Sequence, residues 1–311
     1  MLRVLAPASC LLALIAAPLH QDREVFAMGT RLKVHLQDAQ AAEAFLAEIE
    51  RIEATCSTWR SGSTWSGVNA AGGHPVHIEP EWIGLLARAK EWNRRTHGAF
   101  DPVLMALLKA WGTREGGRIP GPDERAAAME ASGIALLELD EAAGTVRFRH
   151  PQAGLEEGAF LKGYGLDAGR RVAIAKGVRN GWADFGGQIL VWGTPKRVAI
   201  ADPVHRLKTR ASILLAEGSL STSGCAERGR HILDPRTGRP CDAWGSVSVI
   251  ASSGFDADVL STALYVLGPE AGLAWAKAQR VPALFLLNDG SARMSPGFAA
   301  LHPTFIPGDP R

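Results

Sequence analysis

Cysteine is scarce in this chain, and its placement excludes a cysteine-based metal site. The sequence holds 4 cysteines, and no two of them have the close spacing of structural metal ligands. Cys56, Cys225 and Cys241 would remain after removal of the N-terminal segment, an odd number that cannot pair fully within one chain. In an oxidising compartment, Cys225 and Cys241 could form a disulfide. Cys56 follows a helical run at core spacing and is expected to be a buried thiol.

Two common nucleotide-binding loops and one hydrolase motif are missing as well. No Gly-x-Gly-x-x-Gly follows a predicted strand and no Gly-x-x-x-x-Gly-Lys-Ser/Thr occurs, so neither a Rossmann fold nor a P-loop is supported. The segment 221–224 could supply a nucleophilic serine, yet no Gly-x-Ser-x-Gly accompanies it. The net charge is only +2 at pH 7, which gives no indication of a nucleic-acid partner.

Long apolar runs are missing except at the N-terminus. Arg3 precedes an apolar stretch from residue 4 to residue 19, with the small residues Ala16 and Ala17 where a signal peptidase would cut. We predict that residues 1–20 are a secretory signal peptide, with an intact N-terminal anchor as the alternative. Lipid attachment at Cys10 is disfavoured relative to cleavage, because the residues before it lack the usual aliphatic side chain. No other stretch is long enough to cross a bilayer.

What the sequence does have is an alternation of helical and strand periodicities. We predict strands at 31–36, 134–139, 144–149, 246–252, 282–287 and 291–295, several short strands between 180 and 216, and helices at 38–56, 79–95, 124–131, 158–176, 256–267 and 269–279. Sheet and helices are intermingled, and neither a repeat nor a low-complexity linker divides the chain. These features predict an α+β fold in a single compact unit with two lobes.

One pair of oxygen-bearing side chains lies near the C-terminal end. Asp258 and Thr262 are four residues apart in a predicted helix, so both side chains lie on one face. A carboxylate and a hydroxyl suit a hard cation such as Mg²⁺, which is usually held by few protein groups while phosphates and water complete its shell. An acidic first turn and a threonine bonded back to a helix carbonyl explain the same residues without a metal. From this segment alone both explanations stay open.

Further motifs occur upstream in a fixed order. From the N-terminus they are Met28-Gly-Thr30, Cys56-Ser-Thr-Trp59 with Asn69, Ala99-Phe-Asp101-Pro102, Gly158-Ala-Phe-Leu-Lys162-Gly-Tyr164 with Asp167, Gly186-Gly187, Ser221-Thr-Ser-Gly224, and Arg230-His231-Ile-Leu-Asp234-Pro-Arg-Thr-Gly238. Each motif is weak alone. Together with the Asp258 segment, their order, spacing and composition resemble the ApbE family of FAD:protein FMN transferases along nearly the whole chain after residue 20.

The resemblance implies the fold and the chemistry of that family for residues 21–311. The fold is expected to be ApbE-like and related to the T-fold, with a mixed sheet flanked by helices. The activity is expected to be Mg²⁺-dependent transfer of FMN from FAD, the substrate, to a Thr or Ser hydroxyl through a phosphoester bond, with release of AMP. The partner would be an acceptor flavoprotein subunit of an exported or membrane redox complex. The protein would act in the periplasm, either free or anchored to the inner membrane.

The family's metal and catalytic positions can be carried over residue by residue. The metal positions fall on the backbone carbonyl of Ala159 and on the side chains of Asp258, Ser261 and Thr262. Thr262 belongs to the catalytic set as well, together with His231. A neutral imidazole at His231 can accept the proton of the attacking hydroxyl near neutral pH. Without the resemblance, His231 is explained equally well as part of the turn that follows it.

The resemblance also assigns residues along the FAD. These are Met28, Trp59, Ala99, Phe100, Asp101, Glu156, Lys162 and Ile232. Lys162 and Asp101 would provide polar contacts, and Trp59 an aromatic ring for the flavin to lie against. Trp59 replaces a frequent Tyr and keeps the aromatic face. The family commonly has Asp-Leu where this chain has Glu156-Glu157, which puts the nucleotide contacts there in question.

Two other functions stay open. Hydrolysis of FAD to FMN and AMP would use the same metal positions with water as the acceptor. A protein that binds FAD without chemistry would be consistent with the Glu156-Glu157 departure. Release of AMP without an acceptor separates hydrolysis from transfer, and survival of intact FAD with Mg²⁺ would identify a carrier.

Overall fold

A computed structural model describes residues 21–224 and 232–306 of the chain. Its strands are β1 (Gln21–Ala27), β2 (Thr30–Leu36), β3 (Val76–His77), β4 (Leu137–Asp140), β5 (Thr145–Phe148), β6 (Gly181–Phe185), β7 (Gln188–Trp192), β8 (Lys196–Ala201), β9 (Thr209–Leu215), β10 (Gly218–Gly224), β11 (Leu233–Asp234), β12 (Arg239–Pro240), β13 (Gly245–Ala251), β14 (Ala283–Leu287), β15 (Ala292–Met294) and β16 (Thr304–Phe305). Its helices are α1 (Ala39–Cys56), α2 (Thr64–Ala70), α3 (Pro80–Arg95), α4 (Met105–Ala110), α5 (Pro122–Glu130), α6 (Leu161–Ala175), α7 (Gly254–Ala278) and α8 (Pro296–Ala299).

The largest sheet has the strand order β1-β2-β6-β7-β10-β13-β14-β15. The α+β class predicted from the sequence is confirmed. The prediction of a mixed sheet is wrong in one respect, since every strand pair within residues 21–224 and 232–306 is antiparallel. Tight hairpins join β1 to β2 and β6 to β7. The longer connections also lead back to an antiparallel neighbour, so no parallel crossover forms among the described strands.

Side chains on alternate faces of this sheet enter different apolar cores. On β7, Leu190 belongs to the core that contains Phe45 of α1 and Leu166 of α6. Its neighbours Ile189 and Val191 belong to a second core shared with β8 and β9. The small sheet β16-β9-β8 thus covers one face, while helices cover the other, as the two-residue period of a strand requires.

Helix α1 begins and packs as its sequence predicts. The carboxylate of Asp38 accepts a hydrogen bond from the Ala41 amide at 2.6 Å and caps the first turn. Behind the sheet, α1 packs closely against α6. A Cβ added to Gly169 of α6 would come within 2.5 Å of the Phe45 ring, so this approach depends on a residue without a side chain.

The chain between α1 and α6 forms a second region with its own small sheet, β3-β5-β4. The hairpin predicted between 134 and 149 is present, but its first three residues form a 3₁₀ turn and its strands are shorter than predicted. The sequence patterns do not predict β1 or α2. β1 is an edge strand whose side chains are largely exposed, so it needs no apolar alternation, and α2 has only 7 residues.

Helix α7 is interrupted at Gly268, whose φ of 79° and ψ of 172° are not helical. Pro269 follows directly, and its fixed φ suits the first turn of a new helical segment. The two helices predicted on either side of residue 268 are therefore confirmed. None of the helices within residues 21–224 and 232–306 is long and apolar enough to cross a membrane.

Cys56 is fully buried, as predicted, and burial raises the pKa of its thiol. Cys225 lies outside the described residues, so its pairing with Cys241 stays a prediction. The predicted signal peptide at residues 1–20, with Cys10, also lies outside them.

Candidate metal and flavin site

The first turns of α6 and α7 cross in direct backbone contact. A Cβ added to Gly163 would lie 2.1 Å from the carbonyl oxygen of Gly254, and one added to Gly254 would lie 2.5 Å from the carbonyl oxygen of Gly163. The carboxylate of Asp167 fixes this crossing, because it accepts hydrogen bonds from the amides of Gly254 at 2.7 Å and Phe255 at 3.0 Å. Burial raises the pKa of Asp167, while these two amides act in the opposite direction. The crossing places the start of α6 beside the first turns of α7.

Asp258 lies in this crossing and is only 5% exposed. The Gly163 amide donates to its Oδ2 at 3.2 Å, and Nζ of Lys162 lies 3.7 Å from the same oxygen. Burial raises the pKa of Asp258, and the charge of Lys162 and the Gly163 amide partly oppose that rise. A buried carboxylate in such a place is stabilised by positive charge facing it. The structure thus brings the segment that follows Ala159 together with the helix that carries Asp258.

Hydroxyl groups from β10 meet hydroxyl groups from α7 next to this carboxylate. Ser261 Oγ lies 3.1 Å from Ser221 Oγ and 2.9 Å from Ser223 Oγ, and it also donates to the backbone carbonyl of Asp258 at 3.0 Å. Ser223 Oγ lies 3.5 Å from Oγ1 of Thr262. Since residues two apart share one face of a strand, Ser221 and Ser223 both point at α7. Ser261 and Thr262 are therefore held from outside their own helix.

This donor set fits a hard divalent cation. Among the described residues it consists of a buried carboxylate, hydroxyl oxygens and a nearby peptide segment, without nitrogen or sulfur ligands. Within residues 21–224 and 232–306 no cluster of three or more His, Cys, Asp or Glu side chains is present, so a cage built wholly from such groups is not offered there. Mg²⁺ is commonly held by one or two carboxylates with substrate phosphates and water. Ala159 is half-buried in the turn that leads into α6, where its carbonyl is the remaining proposed ligand.

Sequence reasoning named the 221–224 segment as a motif but did not assign Ser221 or Ser223 to the site. The available signal was the serine at every second position of a strand, which places hydroxyl groups on one face. Which element they would face depends on the packing of α7 on β10, and no local pattern encodes that packing.

Two tight turns with positive φ lie next to each other near the start of α6. The turn Met28-Gly29 joins β1 to β2, and the turn Gly186-Gly187 joins β6 to β7. The Gly186 amide donates to the carbonyl of Arg31 at 2.9 Å, and a Cβ on Gly186 would clash with the side chain of Thr30 at 2.7 Å. The glycine pair is thus explained by hairpin geometry. Met28 also reaches α6, because its Cε would lie 3.6 Å from a Cβ on Gly165.

Asp101 has its carboxylate fully engaged by the protein. Its Oδ1 accepts from the Val103 amide at 2.8 Å, and its Oδ2 accepts from the Ile134 amide at 2.8 Å and from the Asn93 side chain at 3.0 Å. Burial raises the pKa of Asp101 to about 6 against these hydrogen bonds. Ala99 and Phe100, which precede it, are both 1% exposed. In this structure the three residues join loops of the second region, and their contact with FAD stays a prediction.

Glu156 and Glu157 both have partners near Trp59. Glu157 is buried, and its carboxylate accepts hydrogen bonds from the amide of Thr58 at 2.9 Å and from the Thr58 hydroxyl at 2.5 Å. Glu156 forms a short ion pair with Arg114. Burial and the charge of Glu156 raise the pKa of Glu157 to about 7. The departure from the usual Asp-Leu is therefore accommodated by this chain's own residues.

The segment around His231 is only partly described. His231, the predicted base, lies outside the described residues. Ile232 packs against the main core, and its carbonyl accepts the Cys241 amide at 2.8 Å. The carbonyl of Asp234 accepts the Gly238 amide at 2.8 Å, and its carboxylate accepts the Arg236 amide at 2.9 Å. Asp234 thus shapes this turn through its backbone and its side chain.

Comparison with known proteins gives one consistent family. The model of the ApbE family matches residues 28–285. An FAD:protein FMN transferase of Rhodobacter capsulatus is 31% identical over 92% of this chain, which spans 59% of that relative's length. The FAD:protein FMN transferase of Treponema pallidum is 29% identical, with 89% of this chain and 87% of the relative covered.

Solved structures show the same fold. The ApbE protein of Thermotoga maritima superposes with a TM-score of 0.84 at 26% identity, covering 91% of this chain and 99% of that one. The flavin transferase ApbE from Vibrio cholerae gives a TM-score of 0.82 at 26% identity with the same coverage. The ApbE-like fold predicted from the ordered motifs is confirmed.

Proposed function

The chain belongs to the ApbE family, and on that basis we propose that it is an FAD:protein FMN transferase, the activity for which its relatives are named. In the proposed reaction a Thr or Ser hydroxyl of an acceptor protein attacks the phosphorus of the FMN half of FAD. A phosphoester O–P bond forms, the P–O bond to the bridging oxygen breaks, and AMP leaves. The hydroxyl proton passes to a base on the enzyme.

The observation that carries this proposal is the meeting of Asp258 with Lys162 and with the hydroxyl groups of α7 and β10. Phosphoryl transfer asks for positioning and charge neutralisation more than for covalent chemistry by the protein. Asp258, Ser261 and Thr262, with the carbonyl of Ala159, would hold Mg²⁺. When bound, Mg²⁺ would neutralise charge on the pyrophosphate oxygens. Lys162 balances the Asp258 charge and is close enough to the site to contact an anionic substrate.

His231 is proposed as the base that receives the hydroxyl proton. An imidazole is neutral over much of the range near pH 7, so it can accept a proton without a large shift of its pKa. This role is supported by the family resemblance and by the chemistry of the side chain.

The acceptor is proposed to be a subunit of an exported or membrane redox complex. The N-terminal apolar segment, with a basic residue before it and small residues near its end, supports export of the protein to the periplasm or anchoring at the inner membrane. FAD and the acceptor would then meet the enzyme outside the cytoplasm.

Hydrolysis of FAD is the second candidate, because the same metal and base positions would serve a water molecule. The carrier alternative loses the argument that first favoured it, since Glu156 and Glu157 have defined partners in the fold. The transferase and the hydrolase differ in what they do without an acceptor.

The test combines the purified protein with FAD and Mg²⁺, with and without a candidate acceptor carrying an exposed Thr or Ser. A transferase adds the mass of FMN to the acceptor, as measured by mass spectrometry. Without an acceptor it releases little AMP. Equal AMP release with and without the acceptor would identify a hydrolase. Intact FAD in every mixture, with folded protein, would overturn both.

A further inference from the structure

We infer that Arg114 is a positioning residue for the flavin ring, because its guanidinium group covers one face of Trp59 and leaves the other face to a planar ligand. This inference rests on the proposed function, since it concerns the FAD that the enzyme would bind. It adds Arg114, Thr58 and Glu157 to the residues that shape the site.

The geometry of Arg114 is that of a fixed group. Its Cζ lies 4.1 Å from the centre of the Trp59 ring. Its Nη1 donates to the carbonyl of Thr58 at 3.0 Å, its Nη2 donates to the Thr58 hydroxyl at 2.6 Å, and Nη2 also pairs with the carboxylate of Glu156. These acceptors use the planar fork of the guanidinium, which a lysine ammonium does not reproduce.

Thr58, the residue before Trp59, is also held by Glu157. The Thr58 hydroxyl donates its single proton to Glu157 at 2.5 Å and accepts a hydrogen bond from Arg114 at 2.6 Å through an oxygen lone pair. The Thr58 amide donates to the second oxygen of Glu157 at 2.9 Å. Trp59 therefore follows a residue whose amide, hydroxyl and carbonyl groups are all hydrogen-bonded.

Trp59 is nevertheless 63% exposed. A large ring that is held in one orientation and still faces solvent is suited to a ligand more than to the core. With the guanidinium on one face, the ring offers its other face for stacking. A ring held before binding loses less conformational freedom on binding, which favours affinity.

The same cluster is tied to the metal positions by a short piece of chain. The carbonyl of Glu157 accepts the amides of Phe160 at 3.2 Å and Leu161 at 3.0 Å at the start of α6. Lys162 follows, with Nζ 3.7 Å from Asp258. A Cβ on Gly158 would lie 3.1 Å from the carboxylate of Glu156. The segment 156–162 thus links the cluster around Trp59 to Asp258.

The test is a double-mutant cycle on FAD affinity, measured by flavin fluorescence with chelator present so that no turnover occurs. R114A is expected to raise the Kd about fivefold, the size of one cation–π contact. W59A is expected to raise the Kd at least as much. The double variant W59A/R114A should match W59A alone, because Arg114 acts through the ring. R118A is the matched control and should leave the Kd unchanged, since Arg118 pairs with the exposed Glu124.

R114K keeps the positive charge and is measured in the same double-mutant cycle. It replaces R114A as the test variant if R114A lacks the circular dichroism spectrum of the folded protein. Its Kd should lie between those of the wild type and R114A. An equal rise of Kd from R114A in the wild-type and W59A backgrounds, or an unchanged Kd in R114A and R114K, would overturn the inference. Tight FAD binding without FMN transfer would overturn only the proposed function. Lack of FAD binding by the wild-type protein would overturn both.

Discussion

Ser261 on α7 and Ser221 on β10 lie 40 residues apart in the sequence and share a hydrogen bond of 3.1 Å between their hydroxyl groups. Ser223 reaches the same hydroxyl at 2.9 Å, so two strand residues fix the orientation of one proposed metal ligand. Residues that orient metal ligands in this way commonly affect affinity nearly as much as the ligands themselves.

Replacing the strand serines should weaken metal binding without unfolding the protein. S221A and S223A are each expected to lower Mg²⁺ affinity about tenfold, because Ser261 and Thr262 lose an external partner. The affinity is measured by titrating Mg²⁺ against AMP release or against thermal stability. T222A is the control, since Thr222 bonds Ser248 on the other face of the strand. Equal losses in T222A would contradict the assignment.

Asp258 should couple the metal to the stability of the fold. We expect Mg²⁺ at about 100 times its Kd to stabilise the wild-type protein by about 2.7 kcal/mol and to leave D258N unchanged. D258N should still bind FAD, as measured by flavin fluorescence. D256N is the control on the same helix, because Asp256 pairs with Arg88 and Trp92 instead. A Mg²⁺-dependent rise in Tm that persists in D258N would exclude Asp258 as a ligand.

Glu157 should make the protein less stable as the pH rises. Its pKa is raised from 4.5 to about 7, chiefly by burial, so the folded state holds more protons than the unfolded state between these values. Stability therefore falls as the pH rises through that window and levels off above about 7, by at most about 3 kcal/mol. E157Q should remove the Glu157 contribution, most clearly between pH 6 and 7, as followed by urea unfolding from pH 4.5 to 8, while the slope that Asp101 contributes below about pH 6 should remain. The exposed Glu141 provides the control, E141Q, which should retain both contributions.

The crossing of α6 and α7 should not tolerate a methyl group. G163A places a Cβ 2.1 Å from the Gly254 carbonyl oxygen, a contact with backbone that cannot swing away, so a loss of about 2 kcal/mol or more is expected. G84A is the helical control. No atom lies within 4 Å of a Cβ at Gly84, and alanine there should stabilise α3 by about 0.5–1 kcal/mol. Chemical denaturation of both variants checks the contrast.

His231 should determine the lower limb of the pH–rate profile. H231A is expected to lower the rate about 100-fold or more, the usual contribution of a positioned general base, and to remove the limb that reflects imidazole protonation. FAD affinity should change little. A variant with a reduced rate and the wild-type profile would show that His231 has another role.

Much of the fold could be predicted because its signals are local. The apolar period of α1, the Gly268-Pro269 break in α7 and the one-face spacing of Asp258 and Thr262 all lie within one element. The strand directions could not be predicted, because the sequence of a short apolar strand does not indicate which strand it will pair with or in which direction. The direction of each pair follows from how the chain returns to the sheet.

The parts of the site that sequence reasoning missed depend on contacts between distant segments. Arg114 lies between α4 and α5 in a stretch with no motif, and it reaches Thr58, which is 56 residues earlier. Glu156 and Glu157 suggested doubtful nucleotide contacts when considered alone. In the fold, Arg114 balances the charge of Glu156, and Thr58 donates hydrogen bonds to the buried carboxylate of Glu157.

Gly163 and Asp258 are in contact although they lie 95 positions apart in the sequence, and β10 becomes an interior strand only when both β7 and β13 are in place. A nascent or truncated polypeptide ending before residue 254 would accordingly possess neither α7 nor its crossing with α6. Ligand capture should therefore report completion of folding, and bound FAD should protect the whole domain from proteases instead of shielding a single loop.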